Sequence, residues 1–396
     1  MITKIRYYLF LALCRRLRVG SLSLVMPDGS NHHFKGKMPG PDAELVLHDP
    51  RAISMILRHA QMGFCEAFML EYLSSPDIVR VIELASLQQD VIDKGSGFSW
   101  LRKVLLKIQH RRNRNSREGS RRNIAHHYDL GNAFYDKWLD PSMTYSSALF
   151  PKDSPKDRDD LEAAQRNKYV RVAALAELKT GSRVLEIGCG WGGFAEYAAK
   201  EHGAEVTAIT ISKEQYDFAK QRIAAAGLSN QVDVQLMDYR DLDGRFDSVV
   251  SIEMIEAVGE EYWPSYFDQI AKCLKSHGKA VIQMITMNDQ SYEYYRSGPD
   301  FIQRYIFPGG MLPAMKVLTP TIENAGLHLI QAEGFGMDYA RTLAIWRQRF
   351  LDAWPRLSDM GFDQRFKHMW ELYLAYCEGG FRTQYIDVKH VVLGAK

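Results

Sequence analysis

The segment VLEIGCGWGG constrains the fold of this chain most, because it joins a strand-like run to a glycine-rich turn. Glu186 lies near the end of the run, and Gly188, Gly190, Gly192 and Gly193 follow it closely. Glycine lets the backbone approach a ligand where a Cβ atom would obstruct it. The segment therefore predicts a ligand-binding loop between a strand and a helix.

Strand-like and helix-like segments alternate after this loop begins. The runs RVLEIG, EVTAITI, VDVQLMD, FDSVVSI and KAVIQMIT are typical of strands, and SKEQYDFAKQRIAAAG is typical of a helix. Strands that alternate with helices at this spacing predict an α/β fold with a parallel, doubly wound sheet. Ligands of such sheets bind at the carboxyl ends of the strands.

A chain of 396 residues is longer than one ordinary core, so we expect two domains. Residues 1–95 are expected to form a small α+β domain. Asp28 and Gly29 lie between alternating runs there, which is a hairpin signal, and Ser75-Pro76-Asp77 is a helix start signal. Residues 96–122 are expected to be a basic linker, and residues 123–396 the larger domain.

The formal net charge of +2 hides a basic segment from Arg102 to Arg122, in which nine residues are Lys or Arg and only Glu118 is acidic. It is either a solvated linker or a patch for an anionic surface such as phospholipid headgroups. Nucleic acid is the weaker partner class, because the run lacks interleaved stacking aromatics. We expect no nucleic-acid partner.

Two further features concern the compartment. The five cysteines are scattered and show no paired spacing, which favours a reducing environment. The N-terminal run YYLFLALC is too short to span ~30 Å of hydrocarbon. It is interpreted as the first helix of a core or, as the alternative, as an interfacial helix that touches a membrane.

Three features of the sheet favour a cofactor other than NAD. Glu186 precedes the glycine turn, whereas a dinucleotide site has its carboxylate about 20 residues later. Thr210, Ile211 and Gln215 offer neutral hydrogen bonds for a ribose after the next strand. Asp238 follows another strand and suits an exocyclic amine of adenine, with Tyr239 beside it. The combination resembles the S-adenosylmethionine (SAM) site of class I methyltransferases.

Longer motifs narrow the resemblance. HHYDLGNAFYDKWLDPSMTYSSALF, LEIGCGWGGFAEYAA, SIEMIEAVG, RYIFPGGMLP and GFGMDYARTLAIWRQRF occur in that order. Together they resemble the cyclopropane fatty acid synthase family, which includes the mycolic acid methyltransferases. The resemblance covers residues 120–390 densely and the N-terminal region loosely. It implies a class I SAM-dependent methyltransferase with a Rossmann-like sheet. The stretch from Tyr292 to Pro313 is rich in Tyr, Phe, Gly and Pro, and it is interpreted as a lid insertion or, as the alternative, as a loop that packs on the core.

The resemblance also implies the reaction and its setting. SAM would donate a methylene or methyl group to the cis double bond of an unsaturated phospholipid acyl chain, and the expected product is a cyclopropane fatty acid. The protein is expected to be a homodimer in the cytoplasm, peripheral to the inner face of the membrane. Its N-terminal domain is expected to associate with lipid.

Family members hold a bicarbonate ion that removes a proton from the transferred methyl group. The resemblance assigns its contacts to Glu256, Tyr339 and the backbone of Ile285, while Ser147 and Gln283 stand where relatives carry a cysteine and a histidine. Gln283 cannot become cationic, so an anion would bind less firmly. We call these five residues the anion site.

The remaining implied roles concern the loop MTYSSALF and the aromatic residues. Tyr145 and Ser146 are expected near the carboxylate and sulfonium of SAM. Aromatic faces can stabilise the carbocation that forms on the acyl chain, and the candidates are Tyr305, Phe307, Tyr339 and Trp346.

No metal site is expected, because His126 and His127 are adjacent and no third ligand is evident.

The departures at Ser147 and Gln283 leave two alternatives to cyclopropane formation. The cation could lose its proton elsewhere, leaving a methyl-branched, methylene-branched or furan-precursor chain. Alternatively, the chain could be a lipid-binding homologue that does not turn over.

Overall fold

The computed structural model describes residues 2–88, 130–151 and 160–395, with side chains from Ile5 onward. The predicted basic linker, the arginine-rich segment within it, and His126 and His127 lie outside these residues. Across the ranges described, no helix combines the length and apolar character that crossing a bilayer requires.

The N-terminal region contains a small sheet covered by helices. Its strands, in the order β2-β1-β3-β4, are β1 (Val19–Val25), β2 (Asn31–Lys35), β3 (Met38–Leu47) and β4 (Leu73–Ser74). Its helices are α1 (Ile2–Cys14), α2 (Pro50–Met69) and α3 (Ile78–Leu87). β1 pairs antiparallel with β2 and parallel with β3.

Local signals place these elements where the sequence predicts them. The hairpin turn joins β1 to β2, and the Asp28 carboxylate accepts hydrogen bonds from the backbone and hydroxyl of Ser30. The Asp77 carboxylate caps α3 by accepting from the backbone of Val79, and Asp49 caps α2 in the same way. Such caps satisfy helix N–H groups that have no partner within the helix.

A mixed seven-stranded sheet forms the centre of the larger region, in the order β10-β11-β9-β8-β5-β6-β7. The strands are β5 (Arg183–Ile187), β6 (Glu205–Thr210), β7 (Val232–Leu236), β8 (Phe246–Ile252), β9 (Leu274–Met287), β10 (Leu327–Gly334) and β11 (Ile386–Ala395). The five predicted strands, β5 to β9, are parallel and confirm the doubly wound core. Two strands that the sequence did not predict extend the sheet at one side, where β11 pairs antiparallel with both β9 and β10.

Helices cover this sheet. They are α4 (Asn132–Tyr135), α5 (Leu161–Leu175), α6 (Gly193–His202), α7 (Lys213–Ala225), α8 (Trp263–Cys273), α9 (Tyr292–Arg296), α10 (Met315–Asn324), α11 (Gly336–Asp359) and α12 (Gln364–Arg382). Short 3-10 turns occupy Tyr239–Asp241, Ile255–Ala257 and Glu260–Tyr262, and a π-helical turn occupies Ile302–Ile306.

The N-terminal region packs closely on the last helix. A Cβ atom at Gly379 in α12 would lie only 2.7 Å from Cγ2 of Ile82 in α3. Glycine at this position therefore lets the two helices approach each other. The contact joins the N-terminal helices to the part of the core that supports the site.

A cluster of aromatic side chains forms the core beside α11 and α12. Phe134 and Trp138 are fully buried, and the Phe134 ring meets the Trp370 ring edge to face at 5.0 Å between centroids. Trp138 also contacts Tyr145, with ring centroids 5.6 Å apart. This cluster gives the loop MTYSSALF a rigid floor.

Candidate active site

The glycine loop between β5 and α6 is held in a conformation that suits glycine. Gly188 and Gly192 have φ values of +81°, and Gly190 has +54°. A Cβ atom at Gly188 would lie 2.8 Å from Cγ of Met254. The backbone N–H groups of Gly188 and Cys189 both donate to the carbonyl of Ile209 on β6. The loop is thus fixed against the neighbouring strand.

Glu186 lies buried at the end of β5, just before this loop. It accepts a hydrogen bond from the backbone of Ala195 in the first turn of α6, and burial raises the pKa of its carboxyl to about 8. Its Oε2 atom is buried and has no hydrogen-bond partner among the described residues. This free oxygen fits an ammonium group such as that of the SAM methionine moiety.

The predicted ribose and adenine contacts lie after β6 and β7. Thr210 and Gln215 are buried, and the Thr210 hydroxyl donates to Oε1 of Gln215 at 2.8 Å. Ile211 continues the chain directly after β6. Asp238 is also buried, but its carboxylate accepts hydrogen bonds from the Arg240 guanidinium at 2.7 and 2.9 Å.

The adenine contact predicted for Asp238 would therefore share that carboxylate with Arg240. Tyr239 beside it is partly buried, and its ring meets Tyr266 edge to face at 5.6 Å. The pair forms an aromatic wall on this side of the predicted nucleoside site.

The loop MTYSSALF is packed inside the protein. It begins with Met143 at φ +54°, and the hydroxyl of Thr144 is hydrogen-bonded to the Tyr169 hydroxyl at 2.6 Å. The Tyr145 hydroxyl is bonded in the same way to that of Tyr373. Each of these hydroxyls thus has a partner in the protein, and the two bonds anchor the loop to α5 and α12.

A lysine that sequence reasoning missed lies beneath this loop. Lys168 on α5 is fully buried, and its ammonium donates to Oγ of Ser146 at 2.7 Å. Burial lowers the pKa of Lys168 to about 7, although the carboxylates of Glu253, Asp140 and Glu186 oppose that shift. Nothing in its position in the sequence distinguishes it from Arg166 and Arg171, the other basic residues of α5.

The predicted anion site assembles around a carboxylate of the chain itself. Oε1 of Glu253 accepts hydrogen bonds from the backbone N–H of Ser147 and from Nε2 of Gln283, each at 2.8 Å. Oε2 of Glu253 accepts from the Tyr339 hydroxyl at 2.7 Å. The hydroxyl of Ser147 donates to the carbonyl of Ala148, so Ser147 contacts Glu253 through its backbone N–H.

Glu253 was not among the predicted site residues. It follows directly after β8, at the carboxyl edge of the sheet, so the position that singled out Glu256 would have singled it out as well. Its φ of +51° lies in the left-handed region, which costs a residue with a side chain roughly 1–2 kcal/mol. Burial raises the pKa of its carboxyl, while the hydrogen bonds from Tyr339, Ser147 and Gln283 oppose that change.

Glu256 provides a second carboxyl group next to the first. Its Oε1 accepts from the backbone N–H of Ile285 at 2.6 Å, and its Oε2 has no hydrogen-bond partner among the residues described. Burial, followed by the charge of Glu253, raises the pKa of Glu256 to about 8. Glu256 is therefore mostly protonated at neutral pH, and Glu253, which three donors surround, carries the negative charge.

A buried histidine supports Gln283 from behind. His390 on β11 pairs with Gln283 on β9, and its Nε2 lies 2.8 Å from Oε1 of Gln283. Burial lowers the pKa of His390 to about 3, so the ring is neutral and donates through Nε2. This bond turns the amide nitrogen of Gln283 towards Glu253.

The aromatic candidates divide between two places. The ring of the fully buried Trp346 lies 5.3 Å from that of Tyr145 in the loop and 6.1 Å from that of Tyr339. Phe307 contacts Tyr373 at 6.0 Å. The fourth candidate, Tyr305, contacts a residue of the N-terminal region instead.

Tyr305 donates its hydroxyl hydrogen to Glu66 on α2 at 2.8 Å, and so connects the predicted lid to the N-terminal region. The lid also reaches the site, because the backbone N–H of Met311 donates to the carbonyl of Glu256 at 2.8 Å. One end of the predicted insertion from Tyr292 to Pro313 is thus bonded to the backbone of Glu256.

Within residues 2–88, 130–151 and 160–395, no group of three His, Cys, Asp or Glu side chains could hold a metal ion.

Comparison with known families agrees with this geometry. Residues 115–391 match the family model described as mycolic acid cyclopropane synthetase. The chain belongs to the mycolic acid cyclopropane synthetase family. This membership confirms the predicted family, and it makes the chain a SAM-dependent methyltransferase that modifies lipid acyl chains.

Two relatives show how much of this chain is similar to known proteins. The tuberculostearic acid methyltransferase UfaA1 of Mycobacterium tuberculosis is 41% identical over 372 residues, which cover 93% of this chain and 86% of that protein. The cyclopropane-fatty-acyl-phospholipid synthase of Escherichia coli K12 is 39% identical over 268 residues, covering 67% of this chain and 66% of that protein.

Solved structures of the mycolic acid cyclopropane synthetase family share the fold. The cyclopropane synthase MmaA2 from Mycobacterium tuberculosis superimposes with a TM-score of 0.63 at 27% identity, covering 70% of this chain and 98% of that chain. The mycolic acid cyclopropane synthase CmaA1, complexed with S-adenosylhomocysteine (SAH), gives 0.64 at 27% identity, covering 69% and 97%. The predicted class I methyltransferase fold is thereby confirmed.

Proposed function

We propose that this protein transfers the methyl group of SAM to one carbon of a cis double bond in an unsaturated phospholipid acyl chain, and that it leaves a methylene-branched chain. The observation that carries the proposal is the position of Glu253. Its carboxylate accepts hydrogen bonds from Tyr339, whose ring lies 6.1 Å from that of the buried Trp346, and from the backbone of Ser147 in the loop MTYSSALF. A base and an aromatic wall are what alkene methylation requires.

The chemistry explains this requirement. A carbon–carbon π bond is a weak nucleophile, so the site must align it with the electrophilic methyl group that SAM supplies and must exclude water from the resulting cation. The rings of Trp346 and Tyr145 present electron-rich faces that stabilise a cation. The buried aromatic cluster around Trp138 keeps water from this side.

The residues that would hold SAM lie along one edge of the sheet. The free oxygen of Glu186 suits its ammonium group, and Lys168 with Ser146 suits its carboxylate. Thr210 and Gln215 offer hydrogen-bonding groups for the ribose. The glycine loop lets the backbone approach the methionine part closely.

The type of product follows from the electron balance and from the relatives. Methyl transfer followed by loss of one proton causes no net oxidation or reduction, so the direct branched product carries a methylene group. UfaA1, whose likeness extends over 93% of this chain, is named as a methyltransferase, and a probable fatty acid methyltransferase of Pseudomonas putida is 37% identical over 276 residues. These relatives favour a branched product over a cyclopropane.

Cyclopropane formation is the second candidate. It is favoured by the synthase of Escherichia coli and by the convergence of Glu256, Tyr339 and the Ile285 backbone at one site, as the family resemblance predicts. Ring closure consumes the same base at the same methyl carbon. The two candidates therefore differ in whether a hydride shifts to the cationic carbon first, and in where the electron pair of the broken C–H bond goes.

Incubation with SAM and phospholipid vesicles that carry monounsaturated chains tests both candidates. We expect release of SAH, and proton NMR of the extracted acyl chains should show exocyclic methylene signals. Upfield ring signals without methylene signals would replace the first candidate by the second. SAM binding without SAH release on any unsaturated lipid would contradict both and leave the lipid-binding alternative.

We further propose that the protein contacts the inner face of an anionic membrane through α1. Phe10 is buried in the core, whereas Ile5, Tyr8, Leu9 and Leu13 are 54, 67, 51 and 42% exposed. Arg15 and Arg16 follow this apolar stripe and are exposed as well. An apolar face flanked by basic residues fits an anionic lipid interface.

Binding to vesicles that contain phosphatidylglycerol tests this surface. Leu9→Asp should weaken binding, whereas Met360→Asp, which changes an exposed apolar residue of the larger region, should not. Equal binding of the two variants would contradict the surface. The arginine-rich linker can add to the same contact, and neutralising Arg111, Arg112, Arg114 and Arg117 tests that part.

The proposed assembly is a homodimer located in the cytoplasm at that membrane face. Light scattering coupled to size exclusion should give twice the mass of the 45.3 kDa chain, and the mass of a single chain would contradict it.

A further inference from the structure

We propose that Glu253 is the base of the reaction, and that its carboxylate fills the place of the bicarbonate ion that the family resemblance predicts. This inference rests on the proposed methyl transfer. Bicarbonate does not fit, because three of the groups that would hold it already donate to Glu253, and the backbone of Ile285 donates to Glu256. The disagreement between prediction and structure therefore identifies a catalytic residue.

The hydrogen bonds to Glu253 are divided unequally between its two carboxylate oxygens. Oε1 receives two donors, the backbone of Ser147 and Nε2 of Gln283, whereas Oε2 receives only the Tyr339 hydroxyl. A carboxylate has about four lone-pair sites. Oε2 therefore keeps one lone pair that no donor in these three contacts occupies, and this lone pair can accept a proton.

The backbone also holds Glu253 in place. It has φ +51°, and its N–H donates to the carbonyl of Gln283 at 2.8 Å. Non-glycine residues remain in this region of φ when the surrounding structure fixes them, and such residues concentrate at functional sites. Gln283 thus anchors both the backbone and the carboxylate of Glu253.

The charges around Glu253 favour its ionised form over that of its neighbour. Lys168 supplies a nearby positive charge, Gln283 and the neutral His390 supply none, and Glu256 is the competing carboxyl group. Three donors surround Glu253, but only the backbone of Ile285 donates to Glu256. One proton shared by the two carboxyls therefore resides on Glu256, and Glu253 remains basic.

The proton transfer balances without another reactant. The π electrons of the alkene form the bond to the methyl carbon, and the sulfur keeps the electron pair of the broken S–C bond. A hydrogen on the carbon that bears the methyl group then shifts with its electron pair to the neighbouring cationic carbon. Oε2 of Glu253 takes a proton from the methyl group, and the electrons of that C–H bond form the methylene double bond.

Binding of bicarbonate tests the position of the carboxylate without any turnover. Glu253→Gly removes the carboxylate, suits the positive φ and leaves the three donors. We expect this variant to bind ¹³C-labelled bicarbonate, detected by NMR, and the unaltered protein not to bind it. Glu177→Gly is the matched control, because Glu177 also has a positive φ of +52° but lies on the surface, paired with Lys279.

Turnover tests the role as base. In buffer depleted of carbon dioxide, Glu253→Gly should lose about 100-fold or more of the rate, in the range typical of a general base. Added bicarbonate should restore part of it. Glu253→Gln keeps the size of the side chain without its basicity, so it should lose the rate, bind SAM normally and gain nothing from bicarbonate.

The outcomes separate this inference from the proposed function. Bicarbonate binding or bicarbonate-dependent turnover in the unaltered protein would overturn the inference, as would a full rate for Glu253→Gly in depleted buffer. Failure of that variant to bind bicarbonate would overturn the assigned position. Absence of turnover in the unaltered protein would instead contradict the proposed methyl transfer, while the binding result still decides where the carboxylate lies.

Discussion

The hydroxyl of Tyr339 on α11 donates a hydrogen bond of 2.7 Å to Oε2 of Glu253, which follows β8. The two residues are far apart in sequence, and the bond joins the end of the central sheet to a helix that packs over it. A bond to a charged acceptor contributes about 1.5–3 kcal/mol. This contact stabilises the ionised form of Glu253 and holds its carboxylate in position.

Tyr339→Phe should therefore lower kcat by about 10- to 100-fold, the factor that corresponds to the loss of such a bond. The affinity for SAM should change little, because Tyr339 contacts the base. SAH release and calorimetric SAM binding measure the two effects. Tyr197→Phe on α6 is the control and should leave kcat unchanged, while equal kcat values for the two variants would contradict the role of Tyr339.

Lys168→Met should weaken SAM binding by about 10-fold or more, because a buried charge-assisted contact is removed. The pKa of Lys168 is lowered to about 7 by burial, so the affinity of the unaltered protein for SAM should fall as the pH rises through 7. Calorimetry from pH 6 to 9 measures both effects. Lys200→Met changes an exposed lysine on α6 and should retain the affinity; a Lys168 variant with the same affinity would remove the lysine from the SAM site.

Glu256→Gln should change how stability depends on pH. Burial raises the pKa of Glu256 to about 8 in the folded protein, against about 4.3 for an exposed glutamate. Between these values the folded state binds more protons than the unfolded state, so this residue lowers stability as the pH rises.

The melting temperature of Glu256→Gln should therefore rise relative to that of the unaltered protein between pH 5 and 8. Scanning calorimetry in this window measures the difference, and Glu186, which has a similarly raised pKa, is present in both proteins and cancels. A difference that does not change with pH would show that Glu256 is ionised throughout.

Gly188→Ala should destabilise the protein more than Gly227→Ala. Both glycines have positive φ, at +81° and +70°, so both variants incur backbone strain of roughly 1–2 kcal/mol. Only at Gly188 would the new Cβ also clash with Met254, since no atom lies within 4 Å of the corresponding position at Gly227. Urea unfolding of both variants measures the difference, and equal losses would contradict the close contact.

The sequence predicted the elements whose cause is local. The strands β5 to β9 contain apolar runs or, in β7, apolar residues that alternate with polar ones, and the caps at Asp49 and Asp77 fix where α2 and α3 begin. β10 was missed because most of its residues are exposed at the edge of the sheet. Such an edge strand lacks the apolar alternation by which a strand is recognised.

The part of the site that was predicted also has a local cause. Glu186 lies at the end of β5 and Glu256 lies in the turn after β8, and both strands end at the same edge of the sheet, so the switch-point rule locates them. The rule also applies to Glu253, but the family resemblance predicts a bound bicarbonate ion rather than a carboxylate of the chain. Lys168 and His390 could not be predicted, because their burial results from packing between distant elements and leaves no local pattern.

The central claim is that the chain transfers a methyl group to an acyl chain and that Glu253 then removes a proton from that same group. SAM with a trideuterated methyl group tests it directly, by mass spectrometry of the acyl chains after incubation with monounsaturated phospholipid vesicles. Products should carry two deuterium atoms, because the base removes the third. Products that keep all three would show that the proton leaves from a chain carbon, and unlabelled chains would contradict the transfer itself.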